Sequence, residues 1–185
     1  DQMKLLENVL PELASARIEN RRAWDQTLRV LNYLPKVSEK GTDPQALPIP
    51  ASIYWTWVLL PSMRLQAMDK REEAIRKVGA RLRLSNEMID QMVYFSRETA
   101  KFRDAFSMRE ATLLRWMRET DFPLLMQFHE VDAIAFDGNL SGLEFVRSIY
   151  PEAKRRFDSK PLLTGDDLVK LGMNPGRQFT EILRT

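Results

Sequence analysis

Ser85-Asn-Glu-Met-Ile-Asp-Gln-Met-Val-Tyr-Phe95 joins a helix start to a helix face. Ser85 suits a helix N-cap, because its hydroxyl can accept one of the backbone N–H groups that a helix start leaves without partners. Met88, Ile89, Met92 and Phe95 then return at intervals of three and four, which lays them along one helix face. The same period extends outward in both directions. Upstream, Ala74, Ile75, Val78 and Leu82 predict a helix with a polar Arg, Lys and Glu face, and residues 51–68 predict an apolar, aromatic-rich one. Further back, Leu5, Leu6, Val9, Leu10 and Leu13 form one stripe, and Trp24, Leu28, Leu31 and Leu34 form another. Downstream, Ser107 and Glu110 have capping-box spacing ahead of Ala111, Leu114 and Met117. A helix is expected from about Pro123, closed by Gly138 in a left-handed conformation, and another over 142–157.

Between these segments, Pro35, Gly41, Pro44, Pro48 and Pro50 predict a loop or linker over residues 35–50. No stretch alternates apolar and polar residues with β-branched enrichment, and the one Asp-Gly pair, Asp137-Gly138, has no such alternation on its flanks to make it a hairpin signal. The expected fold class is therefore all-α, a helical array without a sheet. No fixed-period repeat or low-complexity run interrupts it.

No apolar run reaches the roughly 18–20 residues needed to span a bilayer, and the stretch Ile53 to Leu60 is expected to end at Pro61. The absence of cysteine removes disulfides, zinc knuckles and thiol nucleophiles together, and it fits a reducing, cytoplasmic setting. Overall charge is nearly balanced, with 28 Lys and Arg against 26 Asp and Glu. Its distribution is uneven. Residues 64–118 hold 13 basic and 8 acidic side chains, and ten of the 13 are arginines, whose planar fork matches a phosphate. A solvated helix face laced with ion pairs is the competing reading of that stretch.

Catalytic chemistry finds little to work with. The sole histidine, His129, shares a helical face with Asp132, but no second histidine and no cysteine exists to complete a nitrogen or sulfur shell around a metal. A structural contact between His129 and Asp132, or a helix-packing role, is expected instead. There is no Gly-x-Ser-x-Gly elbow, no Gly-rich phosphate loop and no dinucleotide fingerprint. Glu72 with Glu73, and Asp166 with Asp167, are neighbours pointing about 100° apart on a helix, which suits solvated charge rather than a paired acid and base.

The C-terminal stretch from Pro161 to Leu183 is heavily punctuated. Thr164 suits an N-cap, Asp166 and Asp167 fall in the first turn where the helix dipole favours them, and Gly172 suits the close. Pro175 and Gly176 then open a second short helix that places Arg177 at its start, where backbone N–H groups could meet a phosphate. Leu163, Leu168 and Leu171 are expected to pack.

The segment Leu163-Thr-Gly-Asp-Asp-Leu-Val-Lys-Leu-Gly-Met-Asn-Pro-Gly176 resembles the tail signature of bacterial class II tRNA nucleotidyltransferases and related poly(A) polymerases, the CCA-adding family. His129-Glu-Val-Asp132-Ala-Ile-Ala135, with Gly138, Leu140 and Phe145-Val-Arg147, is similar to the family's His-x-x-Asp-x-x-Ala segment. Arg81-Leu-Arg-Leu-Ser85 and the Ser107 to Met117 helix resemble its body, and Leu6-Glu-Asn-Val-Leu-Pro-Glu-Leu13 its neck. The segments occur in the family's order, with residues 35–63 the poorest match.

What the resemblance implies is a division into neck-like helices and a Pro-rich loop over 1–50, a body-like helical domain over 51–120 and a tail-like helical domain over 121–185. The family's catalytic head, with its Gly-Gly-x-x-Arg-Asp start and Arg-Arg-Asp-Phe motif, has no counterpart in this sequence. Trp55-Thr-Trp-Val-Leu-Leu-Pro61 stands where many relatives carry a metal-binding His-Asp, and an earlier family histidine is replaced near Asp25. The chain is thus expected to be part of a longer protein, non-catalytic by itself and holding no cofactor. The parent enzyme would use magnesium and a nucleoside triphosphate to add C and A nucleotides to RNA 3′ ends.

Expected partners are tRNA or another structured RNA and the missing head domain. Candidate RNA-binding residues are Arg76, Lys77, Arg81, Arg83 and Arg115 in the basic middle, with Thr164, Gly165 and Arg177 at the helix ends of the tail. The alternative is a helical protein-interaction or dimerisation module, with Trp55, Trp57, Trp116 and several methionines lining an adaptable apolar groove.

Overall fold

The computed structural model describes residues 2–40, 49–64, 66–158, 165–172 and 176. Among these residues every regular element is helical. Helix α1 spans Gln2–Val9, α2 Pro11–Glu19, α3 Arg21–Lys40, α4 Ala51–Met63, α5 Met68–Arg81 and α6 Asn86–Glu98. Then come α7 Lys101–Asp104, a 3-10 turn Ala105–Ser107, α8 Glu110–Met117, α9 Phe122–Phe136, α10 Ser141–Asp158 and α11 Gly165–Lys170.

Helix α4 organises the array because it is apolar on all sides, as a helix surrounded by others must be. Ile53, Trp57 and Leu60 face a larger core with Val30 of α3, Phe95 of α6, Phe102 of α7, Trp116 of α8, Phe128 of α9 and Val146 of α10. Leu59 and Met63 face a smaller one with Leu13 of α2, Ile75 and Val78 of α5, and Met92 and Val93 of α6. In the larger core the rings of Trp57 and Phe128 stack at 5.7 Å, and the Trp57 indole N–H donates to the Phe128 carbonyl at 3.0 Å. A buried indole therefore keeps its polar atom paired while its rings fill volume.

Two helix ends follow the sequence reading. The Ser85 hydroxyl accepts from Met88 N–H at 3.2 Å to start α6. Gly138 has φ +74° and donates its N–H to Ala133 O at 2.8 Å, closing α9 as a left-handed cap.

Other expectations require correction. Residues 35–40 are not loop, because α3 continues through Pro35 to Lys40; residues 41–48 lie outside the described residues. The helix expected over 51–68 ends earlier, at Met63, although it does run through Pro61, which is buried within α4, so that burial offsets the backbone hydrogen bond that proline cannot make. Ser107 does not cap α8. Its hydroxyl donates to Asp104 O at 2.9 Å within the 3-10 turn, and extended Arg109 takes the cap position without a side-chain bond.

On α3 the buried side is Ala23, Gln26, Thr27 and Val30, whereas Leu28 and Leu31 are exposed. Trp57 and Trp116 are core residues and Trp55 is half-buried, so they do not form the expected groove. Leu168 is buried but Leu171 is exposed, and Leu163 lies outside the described residues.

Gly142, near the start of α10, lies so close to the Phe102 carbonyl that a Cβ there would collide with it. This contact sets the separation between α10 and the α7 turn.

Candidate functional site

Where α4 and α6 end beside α9, a cavity of about 120 Å³ is lined by Arg64, Arg71, Arg103, Thr99, His129, Asp132, Phe136, Asp137 and Asn139 among others. Its chemistry begins at helix ends, where the last carbonyls lack intrahelical partners. Arg71, from the first turn of α5, meets this need. Its Nη2 donates to Arg64 O at 2.9 Å and Gln66 O at 3.3 Å, its Nε to Met63 O at 3.4 Å, and its Nη1 to Ser96 O on α6 at 3.3 Å. Burial first, and neighbouring Arg64 second, pull its pKa below the usual arginine value.

Helix α9 brings the acidic partner. Asp132 is 5% exposed and accepts from Arg64 Nη2 at Oδ1 and from the Thr99 hydroxyl at Oδ2, 3.4 Å away. Burial pushes its pKa up, opposed by the Arg64 charge and hydrogen bond. One turn earlier, His129 Nδ1 lies 2.8 Å from Thr99 Oγ1, and its ring stacks on Phe102 at 4.2 Å. The expected link between His129 and Asp132 thus runs through Thr99. Burial, with Arg103 and Arg64 adding to it, lowers the His129 pKa to about 4, so the ring is neutral near pH 7.

The outer wall is an aromatic ring under several cations. Guanidinium groups of Arg64, Arg103 and Arg22 lie 4.3, 5.1 and 5.5 Å from the Phe136 centroid. Arg103 is half exposed and reaches Asp137 only at 3.8 Å. Asn139 uses its carbonyl oxygen to accept from Ser141 N at 3.1 Å and Ser141 Oγ at 2.7 Å, which positions its amide at the start of α10. With His129 neutral, three arginines face two aspartates and the cavity is positive. Such an arrangement suits an anion. Among the described residues, no three His, Cys, Asp or Glu side chains converge as a metal-binding group.

The arginines expected from sequence sit elsewhere. On α5, Arg76 pairs with Glu72 at 3.1 Å and Asp90 at 2.9 Å, and Lys77 pairs with Glu73 at 2.7 Å. Arg81 bridges to α2 and α1, donating to Glu12 Oε2 at 2.5 Å and to Val9 O at 3.1 Å. Arg83 follows with φ +55°, an uncommon conformation for a residue with a side chain. Arg115 is exposed on α8, which packs against α10 rather than α5. The first four therefore belong to one helix and its exit turn, and Arg115 is not brought to them. Gly165 opens α11, while Thr164 and Arg177 lie outside the described residues.

Arg64, Arg71 and Arg103 were not singled out by sequence reasoning. The available signal was Asp132, a carboxylate on the apolar face of a helix, which needs a cation from another element. A scan of protein-family models, a search of curated proteins and a search of solved structures each return no match to the chain.

Proposed function

We propose that this chain is the RNA-gripping, non-catalytic part of a nucleotidyltransferase that adds C or A nucleotides to RNA 3′ ends. The observation carrying this reading is the ordered run of family-like segments from Leu6 to Gly176, above all Leu163 to Gly176. It is supported by the structural environment of the His129 and Asp132 segment, which forms one wall of an arginine-lined cavity. The chain would hold tRNA or another structured RNA by shape and phosphate contacts, and a separate head domain would hold magnesium and the nucleoside triphosphate. A cytoplasmic setting accompanies this reading; among the described residues no helix is long and apolar enough to cross a membrane.

Titrating the chain with tRNA at a series of salt concentrations tests the proposal. Binding that weakens steeply as salt rises is expected, since phosphate contacts release counterions. Undetectable binding, or affinity indifferent to salt, removes the RNA reading.

A second reading, a helical dimerisation module, has its own supporting observation. An apolar groove of about 450 Å³ between α8 and α10 is lined by Met108, Leu113, Leu114, Phe145 and Ile149. Gel filtration separates the two: a dimer formed without tRNA favours this reading, and a monomer that shifts only with tRNA favours RNA binding.

A further inference from the structure

We propose that the arginine-lined cavity between α4, α6 and α9 binds a single phosphate group. Assigning that phosphate to an RNA backbone rests on the RNA-binding reading, whereas binding of the group itself does not. The first argument is an unmet donor. Arg64 Nε is buried and has no hydrogen-bond partner, although Nη2 of the same guanidinium is engaged by Asp132. A buried charged N–H without an acceptor is costly; Nε itself is closed off from the cavity, but Arg64 lines it, so an anion there would offset the cost through charge rather than by a direct bond to Nε.

The second argument is size. At roughly 30 Å³ per liquid water, about 120 Å³ is ample for a compact tetrahedral group and small for a nucleoside. Charge supplies the third. Asp132 is committed to Arg64 and Thr99, and Arg71 to backbone carbonyls, so neither is the flexible arm of the site. Arg103 fills that role, half exposed, reaching Asp137 at 3.8 Å and lying over the Phe136 ring at the cavity wall, from which its fork can turn inward. The Asn139 amide nitrogen, whose partner oxygen is fixed by Ser141, adds a neutral donor. Asp137 and Asp132 oppose any anion, and three arginines against two aspartates leave one positive charge, matching one phosphodiester.

The test uses the whole chain and two probes, inorganic phosphate and tRNA. Calorimetric titration with phosphate, with chloride holding ionic strength constant, is expected to saturate at one site per chain. Arg103→Met is expected to weaken it about tenfold, and Arg118→Met, at an exposed arginine outside the cavity, to leave it unchanged. Asn139→Asp is the second variant: it keeps the oxygen that caps α10, replaces the amide nitrogen with a second carboxylate oxygen, and is expected to abolish phosphate binding while the thermal melt persists. No saturable phosphate signal, or equal losses from Arg103→Met and Arg118→Met, overturns the proposal and leaves a cavity that holds water only.

The tRNA arm identifies the source. If Arg103→Met also weakens tRNA binding and lowers its salt slope by roughly one, the site takes an RNA phosphate. Unchanged tRNA affinity alongside lost phosphate binding supports a site for free phosphate and overturns the RNA assignment. A wild-type chain that binds phosphate but no tRNA sinks the RNA reading and supports the cavity.

Discussion

On α5, Arg76 and Lys77 each meet a glutamate one turn earlier, at 3.1 and 2.7 Å, with side chains 48% and 70% exposed. At the end of α4, Arg64 meets Asp132 with only 16% and 6% of the two side chains exposed. Both regions contain oppositely charged pairs, yet solvent makes them different objects. On α5 water and salt screen each charge, so losing one partner leaves the other hydrated. Around the cavity the surviving charge would stay buried, and its desolvation would no longer be compensated. The density of arginines along the sequence locates the first region, and burial defines the second.

The strongest way to test this contrast is Arg64→Met. Urea unfolding is expected to show a loss of about 3–5 kcal/mol, because Asp132 remains buried without its cation. Combining Arg64→Met with Asp132→Leu is expected to recover most of that loss. If the single variant costs no more than a surface substitution, the two regions are energetically alike.

Acid sharpens the comparison next. His129 has an ordinary pKa of 6.5 and is held at about 4 in the fold. Below pH 6.5 the unfolded chain binds a proton there that the folded chain resists. The stabilising contribution of the neutral ring is therefore complete above 6.5 and is lost as pH falls through about 4. At ~1.4 kcal/mol per pH unit the full effect is about 3 kcal/mol. Asp132 works in the opposite sense, since a raised pKa contributes stability below its ordinary 3.8 that is lost as pH rises through the folded value. His129→Gln is expected to flatten the fall in stability between pH 6.5 and 4; an unaltered pH profile would place the acid sensitivity elsewhere.

The smallest effect is expected on α5. Arg76→Gln and Lys77→Gln are predicted to leave the urea midpoint unchanged, because their pairs are exposed. Under the RNA reading each instead lowers the salt slope of tRNA binding by roughly one. A shifted midpoint with an unaltered slope would mean that these pairs are structural.

The helical fold could be read from the chain because its evidence is local. Ser85, Gly138 and the three-and-four spacing of Met88 to Phe95 act within one or two turns. Readings failed where a distant contact outranked a local preference. On α3 the core covered Thr27 and Val30 rather than Leu28 and Leu31, whereas Ser107 was lost to a local competitor, its hydroxyl turning back to donate to Asp104 O instead of capping α8. The cavity was illegible for a related reason. Arg64, Arg71, Thr99, Arg103 and His129 come from separate segments, and no spacing along the chain announces that helix ends will bring them together. Only His129 and Asp132, one turn apart on α9, were visible as a pair, and even their link required Thr99 from the end of α6.

The closeness of Gly142 to Phe102 carries a consequence for how this protein can diverge. Phe102 touches α10 through its carbonyl and His129 through its ring, so one residue spaces the helix and backs the cavity. Position 138 is glycine for another reason, a φ of +74° with open space where a side chain would go. In homologous sequences that keep this fold, drift at 138 can reach asparagine, which tolerates that conformation. At 142 even one methyl group is excluded, so that lineage constraint is absolute unless the α7 turn moves first.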